Sequence, residues 1–189
     1  MDAGFNRPQI LLPTFTAVFV PFALLMVAGI AYAEVTNFPE HFRIAATIWI
    51  VWPFAAISLG LRAAGRSGSV ALLTWTVGYA AFLLHQILAV TDMFGGSFSA
   101  VFARQGVTAA LNFALAIWWA VDLYLMWSET APPPRWVHLQ RLGLAIALPI
   151  AMFVASVILK EGFVRYLAIA SIILAVLIAL AARPRPAVV

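Results

Sequence analysis

The sequence predicts an all-α, polytopic integral membrane protein with six transmembrane helices. Two observations carry this. Six continuous apolar stretches, residues 10–32, 44–61, 70–90, 107–127, 139–159 and 163–182, fill most of the chain. Each is near the ~20 residues a helix needs to cross a hydrocarbon core of ~30 Å. Charged residues make up only 10% of the chain, against about 25% in a soluble domain, so no soluble domain fits between the stretches. A helix satisfies its own backbone in lipid, whereas a barrel would show alternating segments of about ten residues.

The first stretch follows Arg7 and ends near Ala31-Tyr32-Ala33, which resembles a secretion signal with its cleavage site. Its apolar run is longer than the ~7–15 residues of a signal core, so it reads as span 1. Pro13 and Pro21 in span 1, Pro53 in span 2 and Pro149 in span 5 mark kinks, because each frees a backbone carbonyl. Span 3 carries His85 and Gln86. Gly95-Gly96-Ser97 reads as a turn, with Phe98–Phe102 at the membrane interface. Span 4 carries Asn112, Trp118, Trp119 and Asp122. Trp127 and Trp136 flank the next loop as interfacial anchors.

Residues 129–138 contain Pro132-Pro133-Pro134, a stiff extended spacer. They divide a four-helix unit, residues 1–128, from a C-terminal helical hairpin and tail, residues 139–189. On span 5, Gly143, Ala147, Ala151 and Ala155 recur every four residues, and span 6 answers with Ala168, Ala175, Ala179 and Ala182. Small residues at this spacing let helix backbones approach closely in lipid. Such faces serve packing inside the bundle or docking of other membrane proteins.

The chain contains no cysteine, which excludes disulfides, thiolate metal sites and cysteine nucleophiles. Its net charge of +4 is scattered among loops and is no nucleic-acid footprint. The partners expected are therefore the lipid bilayer and other membrane proteins.

Ionisable groups inside spans are expensive and are the first candidates for function. His85 shares a helical face with Gly78, Ala81, Ala89 and Asp92, which points it into the bundle with Asn112 as its expected partner. It could ligate the metal of a haem or chlorophyll, or relay a proton with Asp92. Asp122 lies near the other end of the bundle, as a proton or cation site or as an anchoring ion pair with Arg62 or Arg141. Trp49, Trp52, Trp75 and Trp118 could line a quinone pocket. No serine–histidine or paired-carboxylate constellation can be assembled at one depth, and no internal repeat of the transporter kind is present.

The expected function is thus a non-catalytic subunit or assembly factor of a larger membrane complex, respiratory or photosynthetic. The alternatives are a haem-, chlorophyll- or quinone-binding subunit of electron transport using His85, and a small proton-coupled carrier. Ten of the eleven cations are arginine, the bias of a GC-rich coding sequence, which suggests a bacterial inner membrane.

Orientation follows from the loops. With the N-terminus inside, Arg7, Arg62, Arg66, Arg135, Arg141, Arg183 and Arg185 are cytoplasmic, against Arg43, Arg104, Lys160 and Arg165 outside. Both termini are then cytoplasmic. A reporter active only outside the cell, fused to the C-terminus, should give no signal. A strong signal would invert the last hairpin, starting at Lys160–Arg165.

Overall fold

A computed structural model describes residues 9–129, 131–158 and 163–183. Arg7, Lys160 and Arg185, which contribute to the charge argument, lie outside the described residues. The chain forms seven helices with no strand among the described residues, and six of them are long and apolar enough to cross a membrane. They are α1 (Leu12–Glu34), α2 (Pro39–Ala63), α3 (Ser69–Leu88), the short α4 (Phe98–Gln105), α5 (Val107–Ser128), α6 (Arg135–Phe153) and α7 (Phe163–Ala181). α3 and α6 each continue into one wider π-helical turn, Ala89–Met93 and Val154–Ile158.

Helix starts follow local chemistry. α1 and α2 each have proline in the first two positions, where the missing N–H would be unpaired anyway. α2 therefore begins five residues before its apolar run, taking Glu40, His41 and Arg43 into its first turns. α6 begins directly after the three prolines, at Arg135. The segment expected at the interface is α4, capped by Ser97, whose hydroxyl accepts from the Ala100 N–H at 3.2 Å. Gly106, at φ +52°, makes the sharp junction between α4 and α5 that an L side chain would resist.

α2 is the centre of the bundle. It buries eleven residues, whereas α1 and α7 bury two each. The core joins Val51 and Ala55 of α2 to Trp75 and Ala81 of α3, Trp119 of α5, and Leu144 and Leu148 of α6. Trp75 and Trp119 are fully buried, with ring centroids 4.4 Å apart.

The C-terminal helices do not stand apart from this unit. Trp52 of α2 donates its Nε1–H to Ser156 Oγ at 3.1 Å, and the Trp49 and Phe163 rings meet edge to face at 5.0 Å. The proline-rich loop is thus a boundary in the sequence and not in the packing. The small residues explain how. Gly60 of α2 lies so close to α7 that a Cβ there would sit 2.6 Å from the Ala175 carbonyl oxygen. At Gly143 of α6 a Cβ would come within 2.9 Å of the Trp118 ring. Ala147 and Ala151 pack partly buried against the core, while Ala155 faces outward. The α7 stripe therefore packs on α2, and the α6 stripe faces the bundle's own core.

Gly60→Leu should push α7 off α2 and destabilise the protein by about 1–3 kcal/mol, the usual range for overpacking. Thermal unfolding in detergent reads this directly. An unchanged midpoint would mean that α7 does not seat on Gly60.

Candidate functional site

The charged side chains within the helices gather at two ends of the bundle. Arg43 and Arg62, nineteen residues apart on α2, mark them. At the 1.5 Å helical rise they are separated by about 28 Å, close to the thickness of a hydrocarbon core.

At the Arg62 end, Asp122 of α5 has no solvent exposure. Trp75 of α3 donates its Nε1–H to Asp122 Oδ2 at 2.8 Å. Gln140 of α6 donates its side-chain N–H to Oδ1 at 2.7 Å. The guanidinium groups of Arg62 and Arg141 each approach the carboxylate to 3.6 Å. Gln140 is itself fixed, because its carbonyl oxygen accepts from Trp118 Nε1 at 2.9 Å. Arg141 also pairs with Glu129 at 3.1 Å, and Arg62 lies 5.2 Å above the Trp75 ring. A buried carboxylate is tolerable when it is both hydrogen-bonded and paired with charge, and here Trp75 and Gln140 supply the hydrogen bonds while Arg62 and Arg141 supply the counter-charge.

The pairing of Asp122 with Arg62 and Arg141 expected from the sequence is therefore present. Trp75 and Gln140 were not anticipated as its closest partners. The adjacent Gln140-Arg141, one short loop after Asp122, was the available signal.

At the other end, Arg43 donates from Nη1 to Glu34 Oε1 at 2.7 Å and from Nε to Asp92 Oδ2 at 3.2 Å. This ties α1, α2 and the end of α3 together. Thr91 Oγ1 donates to Asp92 Oδ1 at 3.0 Å. Asp92 is thus engaged by Arg43, and no hydrogen bond joins it to His85 among the described residues.

His85 is partly buried and turns toward α2 rather than α5. Its Nδ1 lies 2.9 Å from the Ile44 carbonyl oxygen and 3.3 Å from Thr47 Oγ1. The expected contact with Asn112 is replaced by this one, because α2 is the helix that packs most closely along α3. A carbonyl only accepts, so Nδ1 carries the proton and donates. Nε2 then holds the free lone pair, with no hydrogen-bond partner among the described residues. Asn112 is half-buried on α5, and no hydrogen bond joins it to His85 among the described residues.

The four tryptophans expected around a quinone do not share one pocket. Trp75 packs on Trp119, Trp118 on Gly143, and Trp49 on Phe163, while Trp52 alone lines a cavity of about 460 Å³ between α2, α6 and α7. Among the described residues no three His, Asp or Glu side chains gather as a metal site. No family model matches the chain, and no curated protein or solved structure matches it.

Asp122→Ala leaves Arg62 and Arg141 without their buried counter-charge. It should cost about 3–5 kcal/mol of stability, the range for removing one partner of a buried pair. Asp122→Asn keeps an acceptor for Trp75 and should lose less. Unfolding of the two variants, followed by tryptophan fluorescence, checks the order. Equal stability of wild type and Asp122→Ala would show that the network holds nothing together.

Proposed function

We propose that this protein is a non-catalytic integral membrane subunit or assembly factor, acting by packing against other membrane proteins in a bacterial inner membrane. One observation carries the reading: its intramembrane charged groups are engaged with one another. Asp122 is hydrogen-bonded by Trp75 and Gln140 and paired with Arg62 and Arg141, and Arg43 bridges Glu34 and Asp92. A catalytic or transport site leaves an ionisable group directed at the space its substrate occupies. These groups instead fix the helices to each other.

Charge supports the orientation. Among the described residues, the Arg62 end carries Arg62, Arg66, Arg135, Arg141 and Arg183 against Asp122 and Glu129. The other end carries Arg43, Arg104 and Arg165 against Glu34, Glu40 and Asp92. The positive-inside rule puts the Arg62 end, and with it both ends of the helical bundle's chain, on the cytoplasmic side. Interaction would use outward faces such as that of α1, where Phe15, Phe19, Leu24 and Val27 project from the bundle.

A second reading rests on His85. A metal-ligating histidine typically donates its other ring N–H to a carbonyl. The Ile44 contact holds Nδ1 in that way and leaves Nε2 for a haem or chlorophyll metal of an electron-transport complex. Extraction of the tagged protein from its own membrane in mild detergent separates the two readings. Membrane proteins in fixed stoichiometry, with no visible absorption band belonging to this chain, are expected. A Soret or chlorin band abolished by His85→Ala would transfer the assignment to the pigment reading. A solitary protein that drives proton flux in liposomes would overturn both.

A further inference from the structure

The cavity between α2, α6 and α7 lies against the same two arginines that hold Asp122. Its walls are apolar, formed by Trp52, Leu59, Ala145, Met152, Ile172 and Val176, and Arg62 and Arg141 close one end. From Arg141 to Met152 along α6 the groove runs eleven residues, about 16 Å at the helical rise. That is half of a ~30 Å hydrocarbon core, the depth of one leaflet. Its volume, about 460 Å³, lies in the range of small-molecule sites.

On the far side of the same arginines is a second, polar chamber of about 240 Å³, lined by Ser67, His138 and Glu129 as well as Arg62 and Arg141. Glu129 is neutralised there by Arg141 at 3.1 Å. Arg62 Nη1 and Arg141 Nε face Asp122 at 3.6 Å without completing a hydrogen bond, and both arginines line the cavity. Arg66, Arg135 and Arg183 add positive charge at the same end.

We infer that this groove is a binding site for an anionic phospholipid, with an acyl chain between α2, α6 and α7 and the phosphate headgroup against Arg62 and Arg141. Three features specify the occupant. The apolar part has the length of one leaflet. The cationic part sits at its polar end. The surplus of arginine at that end favours a net negative headgroup over a zwitterionic one. A soluble anion would have no use for the apolar groove, and a neutral isoprenoid would have none for the arginines. The inference rests on the membrane reading and is independent of whether the protein is a complex subunit or a pigment carrier.

The test equilibrates detergent-solubilised protein with vesicles of equimolar phosphatidylglycerol and phosphatidylcholine, repurifies it, and measures retained lipid by mass spectrometry. Wild type should hold about one phosphatidylglycerol per chain, preferred over phosphatidylcholine by about fivefold or more, as expected for one effective arginine contact. Ala145→Phe fills the groove without touching Asp122, and should remove the retained lipid while the protein still unfolds cooperatively. Arg62→Gln should erase the headgroup preference. Equal retention of the two lipids by wild type overturns the inference, and this outcome needs no variant to fold. Undiminished phosphatidylglycerol on a folded Ala145→Phe protein, or a neutral isoprenoid retained in its place, overturns it as well.

Discussion

Asp122 is a carboxylate with no access to water, and its neighbours must supply what water would. Trp75, Gln140, Arg62 and Arg141 do so from three different helices, while Asp122 itself lies on a fourth. In a bundle whose core contacts are mostly apolar and tolerant of sliding, such a group sets register. Shifting α3 or α6 by one residue would move a donor about 1.5 Å along the helix axis and leave a buried charge underserved. The network need not be a large net source of stability, since desolvating its ions offsets much of their attraction. Its consequence is specificity: it admits one relative height for four helices, and the stacked pair Trp75 and Trp119 fills the space beside it.

Height being set there, lateral packing is set by small residues on α2 and its neighbours. In lipid no hydrophobic force drives helices together, so close contact must come from shape. Gly29 of α1 lies so near Ala46 that a Cβ would come within 2.8 Å of its side chain, and Gly60 makes the same kind of contact with α7 at the other end of α2. α2 is therefore clasped on both sides at positions where it or its partner has nothing beyond the backbone. This is why α2 is the most buried helix although its composition, with Glu40, His41, Arg43 and Arg62, is more polar than that of α1 or α7.

The two polar ends also explain how little intramembrane polarity is left over. Arg43 with Glu34 and Asp92 lies at one end, and the Asp122 network lies at the other, about 28 Å away. Between them His85 is the main titratable group, and it is held by a backbone carbonyl of α2. The groove beside Trp52 is lined by Arg62 and Arg141 and not by His85, so its chemistry belongs to the Arg62 end.

The sequence by itself determined the number of long apolar helices and their approximate limits, because length and hydropathy act locally along a chain. It also offered Arg62 or Arg141 as partners for Asp122, since all three fall near the same helix ends, and the structure pairs it with both. Only the tertiary structure decided the partners across helices. Gln140 and Trp75 joined Asp122, and His85 turned to Ile44 and Thr47 rather than to Asn112, because the rotation of a helix about its axis depends on every neighbour at once. The same holds for α6 and α7. The three prolines suggested an appended hairpin, but Gly60 and Ala175 are 115 residues apart in sequence, and nothing local announces that their backbones touch.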